Sequence, residues 1–193
     1  MKRSVKILWR VFLGGFLLLL LMFLCANFGL FGKMPSVEQL QNPEADLASE
    51  IYSSDGELMG KYYFQNRTEV KYNEISLNVI NALIATEDER FYEHSGIDAQ
   101  AVARAVFTFG RQGGGSTITQ QVAKLMMNQG KGNIIRRGLD KMKEWIVAVK
   151  LERNFTKEEI IALYLNRAAW GNVFGIRNAS RTYFQKEPKN LKL

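Results

Sequence analysis

The chain has 193 residues, with 26 lysines and arginines against 19 acidic residues, a net charge of +7, 47% hydrophobic residues and 3 prolines. That apolar content excludes a disordered chain, and a single cysteine excludes a disulfide scaffold. The length admits one ordinary domain with a short appendage.

Residues 11–31 read VFLGGFLLLLLMFLCANFGLF, in which Asn27 is the only clearly polar side chain. A helix needs about 20 apolar residues to cross the hydrocarbon core, so this run predicts a transmembrane helix. Lys2, Arg3, Lys6 and Arg10 precede it, and no acid occurs before Glu38. Basic flanks stay on the cytoplasmic side, so residues 1–10 read as a cytoplasmic tail and the remainder as external. Trp9 would then sit at the cytoplasmic interface. The competing reading is a cleaved signal peptide, whose apolar core is usually about 7–15 residues and ends in a small-x-small site. This run is longer, and Cys25-Ala26-Asn27 is a poor cleavage site. Cys25 lies deep in the run and reads as a small packing residue.

Charge divides the rest. Residues 33–80 carry a net −4 and residues 81–193 a net +7, an acidic stalk followed by a basic working part. A basic outer surface beside an anionic membrane suits a pyrophosphate or lipid headgroup. An external, anchored domain makes nucleic acid a poor partner. Residues 32–50 are polar with two prolines and read as a linker. Over 51–72, β-formers alternate around Asp55-Gly56, a hairpin signal.

From Ser76 the period becomes helical. Leu77, Ile80, Leu83 and Ile84 mark one stripe. Further helices are expected over about 98–109, 119–127 and 135–151. Thr156-Lys157-Glu158-Glu159 is a capping box opening one that runs to about Asn166.

Glu87 extends the stripe of Ile80 and Leu83 and lies near its helix's C-terminal end, where negative charge is disfavoured. A carboxylate desolvated there would be a better proton acceptor near neutral pH. The alternative is a surface acidic cluster, Glu87-Asp88-Glu89, paired with Arg90. Glu144 heads a second stripe, Val147, Ala148 and Leu151, at a cleft edge; its alternative is an ion pair with Lys141 three residues back. Two carboxylates on separate helices suit acid/base work at a glycosidic carbon. Residues 124–153 carry a net +5, and Lys124, Arg136, Arg137 and Lys141 would serve as donors to a diphosphate. Gly113-Gly114-Gly115-Ser116 resembles a phosphate loop but lacks the P-loop ending, so a flexible connection remains open. His94 is the only histidine, which argues against a multi-histidine metal site or a serine-histidine-aspartate triad.

Glu87-Asp88-Glu89-Arg90-Phe91-Tyr92-Glu93-His94-Ser95-Gly96 resembles the E-D-x-x-F-x-x-H-x-G motif of the peptidoglycan glycosyltransferases, glycosyltransferase family 51. Gly115 to Gln121 is similar to the family's G-S-T-x-T-Q-Q motif. Lys141-Met142-Lys143-Glu144 is similar to R-K-x-x-E from its second position, with Asp140 where the family has arginine. Lys157, Ile160 and Tyr164-Leu165-Asn166 resemble K-x-x-I-x-x-x-Y-L-N. The four motifs are in order within about 80 residues, and the anchor resembles the N-terminal end of class A penicillin-binding proteins or monofunctional transglycosylases.

The resemblance implies a mainly α, lysozyme-like domain over 51–193 with a small β-hairpin near its start. It implies polymerisation of lipid II, a disaccharide-pentapeptide on undecaprenyl pyrophosphate, into a growing β-1,4 glycan strand at the bacterial cytoplasmic membrane. Glu87 would be the general base and Glu144 a positioner or stabiliser on the leaving side. Asp88, Phe91, Ser116, Thr117, Gln120, Gln121, Lys124, Arg136 and Lys141 would bind substrate. A divalent cation, Mg or Mn, assists in this family, although these cationic side chains could substitute; other cell-wall synthesis proteins are expected partners. The family domain ordinarily continues through a fifth motif, so 51–193 reads as C-terminally incomplete. No Ser-x-x-Lys sequence occurs, and no penicillin-binding activity is expected of this chain. The rival functions are a truncated, non-catalytic lipid II-binding module and a lytic, glycan-cleaving enzyme.

Overall fold

The computed structural model describes residues 3–32, 34–41, 49–55, 57–62, 69–109, 111, 114–127 and 132–192. Part of the expected linker (33 and 42–48), Gly56 of the hairpin turn, and Gln112 and Gly113 of the glycine-rich loop lie outside the described residues.

The first element, α1, is Arg3–Asn27, long and apolar enough to cross a membrane. Its helical part begins earlier and ends earlier than the apolar run. Gly29 at φ +77 ends it in a Schellman turn: Leu30 N–H donates to Cys25 O and Gly29 N–H to Ala26 O. Glycine reaches that left-handed conformation without steric penalty. The end of α1 packs on the long helix α6 (Ile134–Asn154). Phe23 stacks on Trp145 with ring centroids 6.1 Å apart, and Ala26 is buried.

Part of the predicted linker is ordered. Val37–Gln41 forms α2, opened by a reciprocal pair in which Ser36 N–H donates to Gln39 Oε1 and Gln39 N–H to Ser36 Oγ. Leu40 joins the core, because a single apolar side chain in a polar stretch still gains from burial. The hairpin follows as β1 (Ser49–Tyr52) and β2 (Leu58–Tyr62), antiparallel with an irregularity between Ile51 and Tyr52.

The remainder is mainly α, as expected. α3 is Leu77–Glu87, α4 is Ala99–Phe107, α5 is Ile118–Met126 and α7 is Lys157–Arg167. Side-chain caps start each of them: Ser76, Asp98, Thr117 and Thr156 accept backbone N–H groups, and Thr156 with Glu159 completes the expected capping box. α5 lies against both α6 and α7. Ile118 and Val122, Val147 and Leu151, and Ile160, Ile161 and Leu165 supply a fully buried core from these three helices. Asn166 sews in the entering chain, its Nδ2 donating to Val70 O at 2.9 Å and its Oδ1 accepting Val70 N–H at 3.0 Å.

Three elements near the end of the described residues have no counterpart in the sequence reading. Ala169–Trp170 (β3) pairs with Val173–Phe174 (β4), and Ile176–Phe184 forms α8. Two-residue strands are too short to show alternation, and α8 begins after Gly175, which has no capping side chain.

Candidate active site

Glu87 is the last residue of α3. Asp88 N–H donates to Ile84 O, and then the chain leaves the helix at Asp88 with φ −161 and ψ 74. Ile80 and Leu83 are buried but Glu87 is exposed. The expectation that Glu87 sits on the core face is therefore corrected: Glu87 lies in the last turn, beyond the packing that covers Ile80 and Leu83. The alternative holds in part: Glu87 and Glu89 are exposed and Glu89 acts on Arg90, but Asp88 is buried and Arg90 bonds Asp98 through both Nε (3.1 Å) and a terminal nitrogen (2.5 Å).

Glu87 stands on a border. On one side is a polar cleft of about 440 Å³ lined by Glu89, Arg90, Arg104, Gly114, Ser116 and Gln121 among others. On the other is a mainly apolar groove of about 810 Å³ walled by Leu83, Tyr164, Trp170, Ile176, Tyr183 and Phe184 among others. Glu87, with its neighbour Thr86, belongs to both walls. Its Oε2 accepts a hydrogen bond from Gln121 Nε2 at 2.7 Å, and Gln121 Oε1 accepts from Tyr164 O–H at 3.4 Å. Burial first, and then the charge of Glu87, push the Tyr164 phenol above its ordinary range.

A second chain of contacts involves Glu144. It is buried at 6% exposure on α6, above Val147, Ala148 and Leu151, which are fully buried. Lys141 Nζ donates to Glu144 Oε2 at 2.7 Å and to Ser116 Oγ at 2.8 Å. Glu144 thus heads an apolar stripe and also makes the Lys141 ion pair, and it is linked to the cleft through Ser116.

Several motif residues turn inward. Asp88 is 8% exposed; its Oδ2 accepts Ile118 N–H at 3.0 Å, and His94 Nε2 lies 3.0 Å from Oδ1. A carboxylate at the first residue of α5 also suits the positive end of that helix. Asp88 lines the polar cleft beside Glu87, and its bonds also tie the motif loop to α5, with His94 as its partner. Phe91 is fully buried, with Lys157 Nζ 4.3 Å from its ring centre. The expectation that Phe91 binds substrate is corrected: it is a core residue. Thr117 and Gln120 are also buried and both reach Gly96 O, Thr117 Oγ1 at 2.7 Å and Gln120 Nε2 at 3.2 Å. Gln120 is thereby corrected to holding the loop from inside, whereas Thr117 both holds the loop and lines the polar cleft beside Glu87. Gly96 fits at φ +88 against α6, where an added Cβ would come within 3.0 Å of Ala148 O.

The expected cationic cluster is only partly drawn together. Lys124 is exposed on α5, Arg136 on the first turn of α6, and neither lines the cleft beside Glu87. Asp140, at the position where the resemblance expects arginine, lies 3.9 Å from Arg136 and 3.7 Å from Lys143. Arg90 and Arg104 are the cleft's cations, and the sequence reading assigned them no binding role. Burial opposes the charge on Asp98, but the Ala101 amide, Arg90 and the Gln100 amide outweigh it and hold its carboxyl below the usual range. Tyr164 was given no role from sequence either, although it sits beside Ile160, Ile161 and Leu165 at helical spacing. Among the described residues no three His, Cys, Asp or Glu side chains gather to hold a metal ion, so an all-protein cage for a divalent cation does not fit.

Residues 55–193 match the family model described as Transglycosylase. The chain is 44% identical over 149 residues to penicillin-binding protein 1F of Bacillus subtilis (strain 168), covering 75% of this chain and 20% of that relative. It is 35% identical over 196 residues to penicillin-binding protein 1A of Pseudomonas aeruginosa, covering 99% of this chain and 23% of the relative. It is 39% identical over 168 residues to penicillin-binding protein 1A of Neisseria flavescens, covering 84% and 21%. The chain spans about a fifth of the length of the curated relatives it matches.

Proposed function

The chain belongs to the transglycosylase family, and from that premise we propose that it is a membrane-anchored peptidoglycan glycosyltransferase that polymerises lipid II. The observation that carries the reading is the position of Glu87: an exposed carboxylate on the border of two cavities, one oxygen held by Gln121. A carboxylate with a free lone pair facing a cleft can take a proton from a hydroxyl brought within hydrogen-bond reach.

Glu87 removes the proton from the 4-hydroxyl of the acceptor N-acetylglucosamine. That oxygen attacks C1 of the donor N-acetylmuramic acid from the face opposite the diphosphate. The C1–oxygen bond to undecaprenyl pyrophosphate breaks, and the anomeric centre inverts to a β-1,4 link. Negative charge grows on the departing diphosphate. Lys141, bonded to Ser116 on the cleft wall, receives it as a charge-assisted donor, and Glu144 keeps Lys141 oriented there. With α1 across the cytoplasmic membrane and residues 1–10 inside, the domain meets both lipid-borne substrate and growing strand at the outer face.

Polymerisation of fluorescent lipid II by the detergent-solubilised chain tests this. Glu87→Gln is expected to reduce the rate by about 10²-fold or more with an unchanged melting midpoint. A variant retaining more than about a tenth of the wild-type rate removes Glu87 from the base role. Release of soluble muropeptides from purified cell wall would instead identify a hydrolase.

A further inference from the structure

We propose that Tyr164 is a positioning residue for Glu87, acting through the side-chain amide of Gln121. The proposal rests on the reading of Glu87 as the base. An amide has an acceptor end and a donor end. Here both are assigned by neighbours: Oε1 accepts a hydrogen bond from the Tyr164 hydroxyl and Nε2 donates one to Glu87 Oε2. Turned over, the amide would set its oxygen against an ionised carboxylate at hydrogen-bond distance, lone pair against lone pair.

The three residues differ in how firmly they are held. Tyr164 stands half-buried on α7, beside Ile160, Ile161 and Leu165, which are fully buried. Gln121 is half-buried on α5. Glu87 is exposed at a helix end and would otherwise sample several rotamers, a freedom that ordering a side chain must remove. The relay passes order from the core outward, from phenol to amide to carboxylate. It fixes Oε2 and leaves Oε1 as the oxygen presented to an incoming hydroxyl. Burial and the charge of Glu87 keep the phenol in its protonated, donating form through neutral pH.

The test is steady-state polymerisation of a lipid-linked disaccharide by the full chain, with Tyr164→Phe, Gln121→Ala, the double variant and Glu87→Gln compared. Tyr164→Phe keeps the ring and removes only the donor. Its kcat is expected to fall by about two- to tenfold, the worth of one hydrogen bond, with KM within about twofold. In the Gln121→Ala background the same substitution is expected to have no further effect, because the path it acts through is gone. Wild-type kcat in Tyr164→Phe, an equal fall in both backgrounds, or a change confined to KM would each overturn the role. If Glu87→Gln is inactive while Tyr164→Phe matches wild type, only the Tyr164 role falls. If the wild-type chain shows no turnover, the base reading falls and takes this role with it.

Discussion

Replacing Asp88 by alanine separates a residue that binds substrate from one that builds the site. The Asp88 side chain accepts Ile118 N–H at 3.0 Å and lies 3.0 Å from His94 Nε2, and it is 8% exposed. Alanine leaves the first amide of α5 unpaired in the interior. It also strips His94 of its partner at Nε2, while His94 Nδ1 is already buried without one among the described residues. Hydrogen bonds to a charged acceptor contribute about 1.5–3 kcal/mol each, so two lost together lower stability by about 3–6 kcal/mol. For a chain of this size that is a fall in melting midpoint of about 10 °C. Thermal unfolding followed by far-UV circular dichroism, in the detergent used for activity, reads the shift. Asp88→Asn keeps an oxygen for Ile118 and is expected to lose about half as much. A midpoint within about 2 °C of wild type, together with a raised KM for lipid II, would refute the structural role and return Asp88 to the substrate surface.

The other expectations follow from the same contacts. Phe91→Ala, which empties a fully buried site, is expected to destabilise by about 3–5 kcal/mol in chemical denaturation, and a loss under about 1 kcal/mol would place the ring outside the core. Gly96→Ala combines a left-handed backbone with a Cβ 3.0 Å from Ala148 O; about 2–5 kcal/mol should be lost, and an unchanged midpoint would show that the loop can move off α6. Asp98 has its carboxyl held below the usual range, so its contribution is present above about pH 4 and is lost as pH falls through the lower native value. Asp98→Asn should make the midpoint less sensitive to acid below about pH 4, and an unaltered acid slope would sink this assignment. For Tyr164, burial and the Glu87 charge both raise the phenol. Glu87→Gln removes the second cause, and nuclear magnetic resonance of labelled tyrosine should show Tyr164 ionising at lower pH, whereas no movement would mean the two groups are not neighbours.

Helices were legible where spacing and caps agreed. Ile80 and Leu83 fixed the inner face of α3, Val147 and Leu151 that of α6, and Thr156 with Glu159 marked the start of α7. The hairpin was legible from Asp55-Gly56, while the β3–β4 pair was too short to leave a pattern. The site was harder, for two reasons. Periodicity gives a residue's side of a helix but not whether packing continues to its last turn, which is why Glu87 looked inward when it faces open cavities. A motif also reports that residues occur together, not which of them touch a ligand. Phe91 and Gln120 share motifs with Glu87 and Gln121, yet both are buried, and Gln120 holds Gly96 from within. Tyr164 was hidden for the opposite reason: its partners lie 43 and 77 positions away in sequence, and no local pattern can report such a meeting.

On the proposed reading, with α1 across the membrane and a lipid-borne substrate, the stacking of Phe23 on Trp145 and the turn that follows Asn27 bear on how the enzyme would meet that substrate. A catalytic unit on a long leash can search above a bilayer at many heights. One whose mooring helix is fastened to its own long helix, beside Glu144, works at a set elevation. Encounter then depends on sideways drift in the plane of the lipid, and a sugar is offered for reaction only when its carrier lifts it to that level.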